Sequence, residues 1–368
     1  MTAADLAGRQ HLVLWAAFLV AVAFGALAQS TAFCTRAAVS DIVTRRDWTR
    51  MRQWALAAAV ATLGFTALSA NGIVRAPQTL YGSTRWLWLS ALVGGGLFGF
   101  GMVLSSGCVS RNLVRLGAGS LKALVVATVT AIAAFATLRG LTGVLRVNSV
   151  DRVNLEFASN ADLATLLAHA SGLPPATASL MAGGALGLVL LAFALSSAQA
   201  RHPRSIVAGA GVGVLVLAMW WITGHLGHLA EHPQTLEEAW LATNSTRAEG
   251  LSFVGPTGYA LDWVLFFSDA GRRLTVGIVS VAGVIVGAAA MAMARGDFRW
   301  QGFGDARDLG QHLLGGALMG VGGVTAVGCS IGQGVTGLST LSLTSFVAVG
   351  AMIAGAVAGV HYQARHAG

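Results

Sequence analysis

Residues 94–112 read GGGLFGFGMVLSSGCVSRN, and residues 315–333 read GGALMGVGGVTAVGCSIGQ. Set 221 residues apart, the stretches align without a gap. Gly94, Gly95, Gly99, Gly101, Gly107 and Cys108 fall on Gly315, Gly316, Gly320, Gly322, Gly328 and Cys329, and Asn112 falls on Gln333. The same offset carries Asp41 onto Asp262 and Arg52 onto Arg273. With 48 glycines in the chain, the glycine matches weigh less than the shared cysteine, aspartate and arginine. Similarity of a chain to itself at one offset marks an internal duplication.

The sequence around these stretches is apolar. Of 368 residues, 55% are hydrophobic and only 10% charged, and the mean hydropathy is +0.69. A water-soluble core cannot absorb that much apolar surface. A spanning helix needs about 20 mostly uncharged residues. Windows of that kind run over residues 11–29, 54–73, 85–105, 120–139, 178–197, 204–223, 274–294, 309–327 and 343–362. Small residues in lipid let helix backbones approach closely. The first window is read as a retained span rather than a cleavable signal peptide.

Spans one to four belong to a first repeat, residues 1–140. Residues 141–203 form a linker with the fifth span, and spans six to nine belong to a second repeat, residues 204–368. Equivalent spans are five crossings apart, and an odd number inverts the second unit. The expected fold class is all-α and integral to the membrane. It has about nine transmembrane helices plus re-entrant half-helices in two inverted pseudo-symmetric repeats. Residues 141–173 have no counterpart, and residues 225–250 read as an insertion.

The net charge of +8 does not point to nucleic acid, because the arginines lie scattered at helix ends without interleaved aromatics. Alternating the spans gathers Arg45, Arg46, Arg50, Arg52, Arg201, Arg204, Arg295, Arg299 and Arg307 on one side. Glu231, Glu237, Glu238 and Glu249 fall on the other. Positive residues stay inside, so the N-terminus is expected outside and the C-terminus in the cytoplasm. Trp86, Trp88, Trp220, Trp221 and Trp300 are expected to anchor span ends at the headgroups. The phosphate-binding pattern of nucleotide hydrolases is absent, which argues against ATP hydrolysis in this chain.

Four segments, 29–41, 105–119, 252–269 and 328–342, interrupt the apolar pattern with Gly, Ser, Thr and Cys where a loop should be charged. They read as re-entrant segments ending in half-helices, tolerated at membrane depth only where they line a cavity or are buried in protein. Pro256 suits the first turn of such a helix. A half-helix N-terminus offers unpaired N–H groups and partial positive charge, so an anion can bind there without a buried lysine.

All three cysteines, Cys34, Cys108 and Cys329, lie in these breaks. The remaining break, 252–269, has Gly255 where Cys34 would map. Three readings are open: one disulfide with a free thiol, a soft-metal site, or a thiol-lined path for a polarizable sulfur anion. A neutral thiol is a weak donor, and weak successive contacts favour passage over trapping. Asn112 and Gln333 offer amide donors, and Ser110 and Ser330 offer hydroxyls. Arg111 and Arg115 either attract the anion or face the headgroups. Asp41 and Asp262 are expected to anchor half-helices through arginine pairs, and His225, His228 and His232 would share one helical face able to hold zinc.

Gly107-Cys108-Val109-Ser110-Arg111-Asn112, Gly328-Cys329-Ser330-Ile331-Gly332-Gln333-Gly334 and Phe33-Cys34-Thr35-Arg36 resemble the motifs of the YeeE/YedE family of sulfur-compound transporters. The resemblance covers nearly the whole chain. It implies uptake of thiosulfate or a related small sulfur-containing anion across a bacterial inner membrane, where the outside N-terminus expected from the charge tally is periplasmic. Cys34, Cys108 and Cys329 would line the route. Gly107, Gly328, Ser110, Ser330, Asn112, Gln333, Gly334 and Arg111 would surround it. No catalytic residue, metal or cofactor is expected, and nucleic acid is not a partner. The lipid bilayer and a separate cytoplasmic sulfur-carrier protein are the candidate partners. The alternative from another class is a membrane thiol-disulfide oxidoreductase, which usually needs a closely spaced cysteine pair that this sequence lacks.

Overall fold

A long apolar run in lipid has no solvent for its N–H and C=O groups, so it must bond to itself as a helix. In the computed structural model, which describes residues 3–269 and 271–366, the windows take that form. The helices are α1 (Ala3–Thr31), α2 (Thr35–Arg45), α3 (Thr49–Ala70), α4 (Trp88–Leu104), α5 (Val109–Gly117), α6 (Leu121–Arg139) and α7 (Leu141–Asn148). They continue as α8 (Leu163–Ser171), α9 (Pro175–Ala194), α10 (Pro203–Trp221), α11 (Val254–Leu265), α12 (Val276–Ala294), α13 (Ala306–Thr325) and α14 (Leu343–His366). The strands described are two-residue antiparallel pairs: β1 (Arg85–Trp86) with β2 (Leu155–Glu156), and β3 (His228–Leu229) with β4 (Ala239–Trp240).

Among the described residues, 8 helical segments are long and apolar enough to cross a membrane. They account for every expected window but 309–327. That window is α13, whose first turns carry Arg307, Asp308 and His312. These polar residues anchor the helix: Asp308 accepts from Lys122 Nζ at 2.5 Å, next to the start of α6. Beyond them α13 is glycine-rich and packs against α4 and α6.

The inversion is visible where α4 crosses α13. A Cβ added to Gly94 would stand 2.6 Å from the Gly322 carbonyl oxygen, and one on Gly322 would stand 2.6 Å from that of Gly94. Gly101 and Gly315 face each other's carbonyls in the same reciprocal way at 2.7 Å. Gly94 is the repeat partner of Gly315, and Gly101 of Gly322, so exchanging the repeats turns each contact into the other. Such a self-complementary crossing of antiparallel helices is what a local two-fold axis produces. The surrounding pairs follow the same rule. Helix α4 packs on α14 while α13 packs on α6, and α1 packs on α12 while α10 packs on α3.

Two expectations need correction. Trp220 is fully buried and donates from its indole nitrogen to Ser339 Oγ at 3.1 Å. It is a core residue and not a headgroup anchor, whereas Trp300 is 74% exposed. The three histidines do not share a helical face, because α10 ends at Trp221 in a wide turn, Ile222–Leu226, and the chain enters β3. His228 instead meets Glu238 at 2.7 Å.

The glycines set how closely the helices approach. A Cβ on Gly287 would fall 1.9 Å from the Val22 carbonyl oxygen, whereas one on Gly350 would meet nothing within 4 Å. Gly287→Ala is therefore expected to force α12 from α1 and lower stability by about 3 kcal/mol, the upper range for overpacking. Gly350→Ala is expected to leave it unchanged. Thermal unfolding of the two purified variants in detergent checks the contrast.

Candidate translocation site at the broken helices

Helices α4 and α13 stop in the same way. Ser106 (φ 59) and Val327 (φ 58), 221 positions apart, take the left-handed conformation. Behind them Gly107 N donates to Met102 O at 2.9 Å and Gly328 N to Gly323 O at 2.8 Å. These are the closing bonds of a Schellman-type helix end. A β-branched valine is rarely found at such a φ, and strain of this kind is held only where the surroundings over-determine it. The next residue after each glycine is a cysteine.

Each cysteine begins a new short helical segment. Cys34 is the N-cap of α2 and Cys108 that of α5, and neither helix receives a side-chain capping bond there. Their carbonyls accept from Ala38 N at 3.1 Å and Asn112 N at 2.9 Å. The Cys329 carbonyl accepts from Gln333 N at 2.7 Å as the chain enters the wide turn Gly332–Gly337. All three thiols thus sit at the start of a helical turn whose first N–H groups lack intrahelical partners. In the third break, residues 252–269, the N-cap is Phe253, whose carbonyl accepts from Thr257 N at 3.0 Å. It lies two residues before Gly255, so the repeat offset slips here.

Cys108 and Cys329 are 2% and 0% exposed and belong to one apolar core, while Cys34 is half-buried. Cys108 is an electrostatic neighbour of both Cys34 and Cys329. All three thiols are free. Ser110 Oγ lies 3.3 Å from Cys108 Sγ, and Gly332 N donates to Cys329 Sγ at 3.4 Å.

The amides serve the loops themselves. Asn112 Nδ2 donates to Gly107 O at 2.8 Å and Cys108 O at 3.2 Å. Gln333 Nε2 donates to Ala326 O at 2.5 Å, and its Oε1 accepts from Ser345 Oγ at 2.5 Å. Gly107 and Gly328 leave room for this: a Cβ on either would press on the Arg111 and Gln333 stems at 3.2 and 3.1 Å. Arg111 Nη1 reaches Ala28 O at the end of α1, 3.2 Å away. Gly334 admits the Trp54 ring, which a Cβ would meet at 2.5 Å. Ser330 Oγ is buried and unpartnered. Asp41 pairs with Arg50 at 3.1 Å and Asp262 with Arg272 at 2.9 Å, bracing α2 and α11.

Sequence reasoning did not single out Tyr81. Its hydroxyl donates to Gly332 O at 2.5 Å, its ring meets Trp220 edge-on at 6.3 Å, and it is 8% exposed. The only signal was an uncommon residue in a polar connection, one of 3 tyrosines. The neighbouring Gly82 lines a cavity of about 1170 Å³ beside the end of α3 and the start of α9, with Arg75, Arg85, Arg247 and His169. It lies at the opposite end of α3 from Arg45, Arg46, Arg50 and Arg52. Asp162, the acid on its wall, is engaged by Asn160 and Thr165.

Two inverted units that meet at broken, buried helices make up the architecture of a membrane transporter. A family model described as "Sulphur transport" matches residues 30–358, and the chain belongs to that family. It is a transporter and not a catalytic enzyme. It is 26% identical over 346 residues to a protein of Spirochaeta thermophila named "Thiosulfate transporter TsuA", covering 91% of this chain and 94% of the relative. It is 24% identical over 345 residues to the protein of that name from Escherichia coli K12, covering 90% and 89%.

Gln333 holds the second cysteine loop from both ends of its amide. Gln333→Leu strands the Ala326 carbonyl and the Ser345 hydroxyl in a buried site, which is expected to lower stability by about 2–4 kcal/mol. Denaturant or thermal unfolding of the detergent-solubilised variant measures it.

Proposed function

We propose that this chain takes up thiosulfate, or a closely similar small sulfur anion, through a path lined by Cys34, Cys108 and Cys329. The observation that carries the reading is the common placement of the three thiols, each on the residue that starts a buried helical turn. At Cys34 and Cys108 the first-turn N–H groups have no side-chain cap and supply positive potential without a fixed charge, and so hold an anion weakly enough to release it. The thiols add polarizable, weakly donating contacts suited to a sulfur ligand. Both relatives are named thiosulfate transporters, which supports the cargo.

In this reading residues 1–140 and 204–368 are the two inverted halves and residues 141–203 join them. The N-terminus is periplasmic, and the cytoplasmic face carries the arginine-rich helix ends. The cavity bearing Arg75, Arg85 and Arg247 is the collecting chamber, where several guanidinium groups raise the local anion concentration. Tyr81, bonded to Gly332 O, stands between that chamber and the Cys329 turn. Asn112, Gln333 and Arg111 hold the turns in place, and Gly107, Gly328 and Gly334 let backbone and rings come close. Ser110 bonds beside the Cys108 thiol and Ser330 follows Cys329. A separate cytoplasmic sulfur-carrier protein is the expected recipient.

Uptake of labelled thiosulfate into vesicles containing the purified protein is the test. Cys34→Ser, Cys108→Ser and Cys329→Ser are each expected to cut the initial rate at least tenfold, because a hydroxyl at the same place is a harder, more strongly hydrated group. Unchanged uptake in all three variants would remove the thiol-lined path.

A further inference from the structure

The cavity of about 1170 Å³ between the end of α3 and the start of α9 differs in chemistry from the cysteine turns. Arg75, Arg85 and Arg247 line it, and among the described residues none of the three has an ion pair. The Arg247 guanidinium bonds to the Gly82 carbonyl, which belongs to the same wall. Arg75 and Arg85 are exposed, and Glu156 stands opposite Arg85 in the β1–β2 pair without bridging to it. Asp162, the acid on the wall, is engaged by Asn160 and Thr165. Cations that outnumber one engaged carboxylate focus a positive potential into the concavity. Ser69, Thr84, Ser159 and Ser179 also line it, and their hydroxyls have no partner among the described residues. Among those residues no cysteine or methionine lines it.

We infer that this chamber is a general oxyanion site, which binds sulfate as it binds thiosulfate, so that sulfate competes for entry without being carried further. The inference deepens the thiosulfate reading above and rests on it for the passage beyond the chamber. Guanidinium N–H groups and hydroxyls donate to oxygens, and the two anions share their oxygens, their tetrahedral shape and their double charge. What sets thiosulfate apart is one soft sulfur. The chamber offers no polarizable sulfur side chain to meet it. A space of this size also has room for on the order of tens of waters. An anion held there stays largely hydrated, and the exchange of one oxygen for sulfur goes unread. Discrimination is left to the thiol turns on the other side of Tyr81. Charge is thus read first and sulfur second, and a doubly charged oxyanion that cannot pass the second stage still occupies the first.

Uptake of labelled thiosulfate by the purified full-length protein in vesicles is measured with sodium sulfate outside. Sodium chloride of equal ionic strength is the control, because salt alone screens exposed ionic contacts. Sulfate is expected to raise the apparent KM and leave the maximal rate unchanged, and labelled sulfate is expected to stay outside. Arg75→Gln and Arg85→Gln are each expected to raise the thiosulfate KM and the sulfate inhibition constant together, by about threefold, the scale of one exposed ionic contact. Arg45→Gln, in the last turn of α2, removes the same charge outside the chamber and is expected to change neither. Binding without transport is read from the melting temperature of the Cys34→Ser/Cys108→Ser/Cys329→Ser protein, which a ligand of the folded state raises. There sulfate and thiosulfate are expected to bind with the same affinity. Sulfate no more effective than chloride, inhibition unchanged in both arginine variants, or a preference for thiosulfate in the triple variant would each overturn the site. Binding of both anions through Arg75 and Arg85 without any thiosulfate uptake would leave the site standing and sink the transport reading instead.

Discussion

A bilayer offers no water to a backbone N–H, and the central region of this protein follows from that constraint. A continuous helix satisfies every such group internally, but a helix that stops at membrane depth exposes its ends. Here α4 and α13 both stop within the protein, and the carbonyls at their C-terminal ends are closed by the Gly107 and Gly328 amides. The N-terminal ends of the following turns have no side-chain caps at Cys34 and Cys108. The positive potential at these ends is thus supplied by main chain, which can neither lose a proton nor form a permanent ion pair.

Holding such ends open requires rigidity around them, and glycine provides it. The reciprocal Gly94–Gly322 and Gly101–Gly315 contacts bring two backbones together at the pseudo-two-fold crossing. Dispersion between closely packed helices replaces the hydrophobic drive that lipid does not give. The broken ends then hang from a firm crossing, and Asn112 and Gln333 tie each cysteine turn back onto the helix that precedes it. One device, used twice in inverted copies, sets both halves of the site.

The symmetry is incomplete, and its exceptions cluster around the cysteine turns. The third break begins at Phe253 without a cysteine, so the thiols form an uneven set around the axis. The 71–87 connection brings Tyr81 against the Cys329 turn, and α3 brings Trp54 against Gly334. The two ends of α3 also differ, with guanidinium groups around the large cavity at one and a small cavity bordered by Met51, Met102 and Met352 near the other.

Hydropathy and the 221-residue offset were enough to determine an all-helical membrane fold and its inverted repeat, and the placement of Cys34, Cys108 and Cys329 in polar interruptions marked the candidate site. These are properties of sequence separation and composition, which translate directly into span length and crossing number. The direction of the Asn112 and Gln333 amides, the burial of Trp220 and the reach of Tyr81 were decided only by tertiary structure. Each depends on contacts between residues far apart in the chain, such as Trp220 with Ser339 and Tyr81 with Gly332. A hydrogen bond is a matter of ångströms and angles, and no local pattern of residue types encodes which distant carbonyl a side chain will meet.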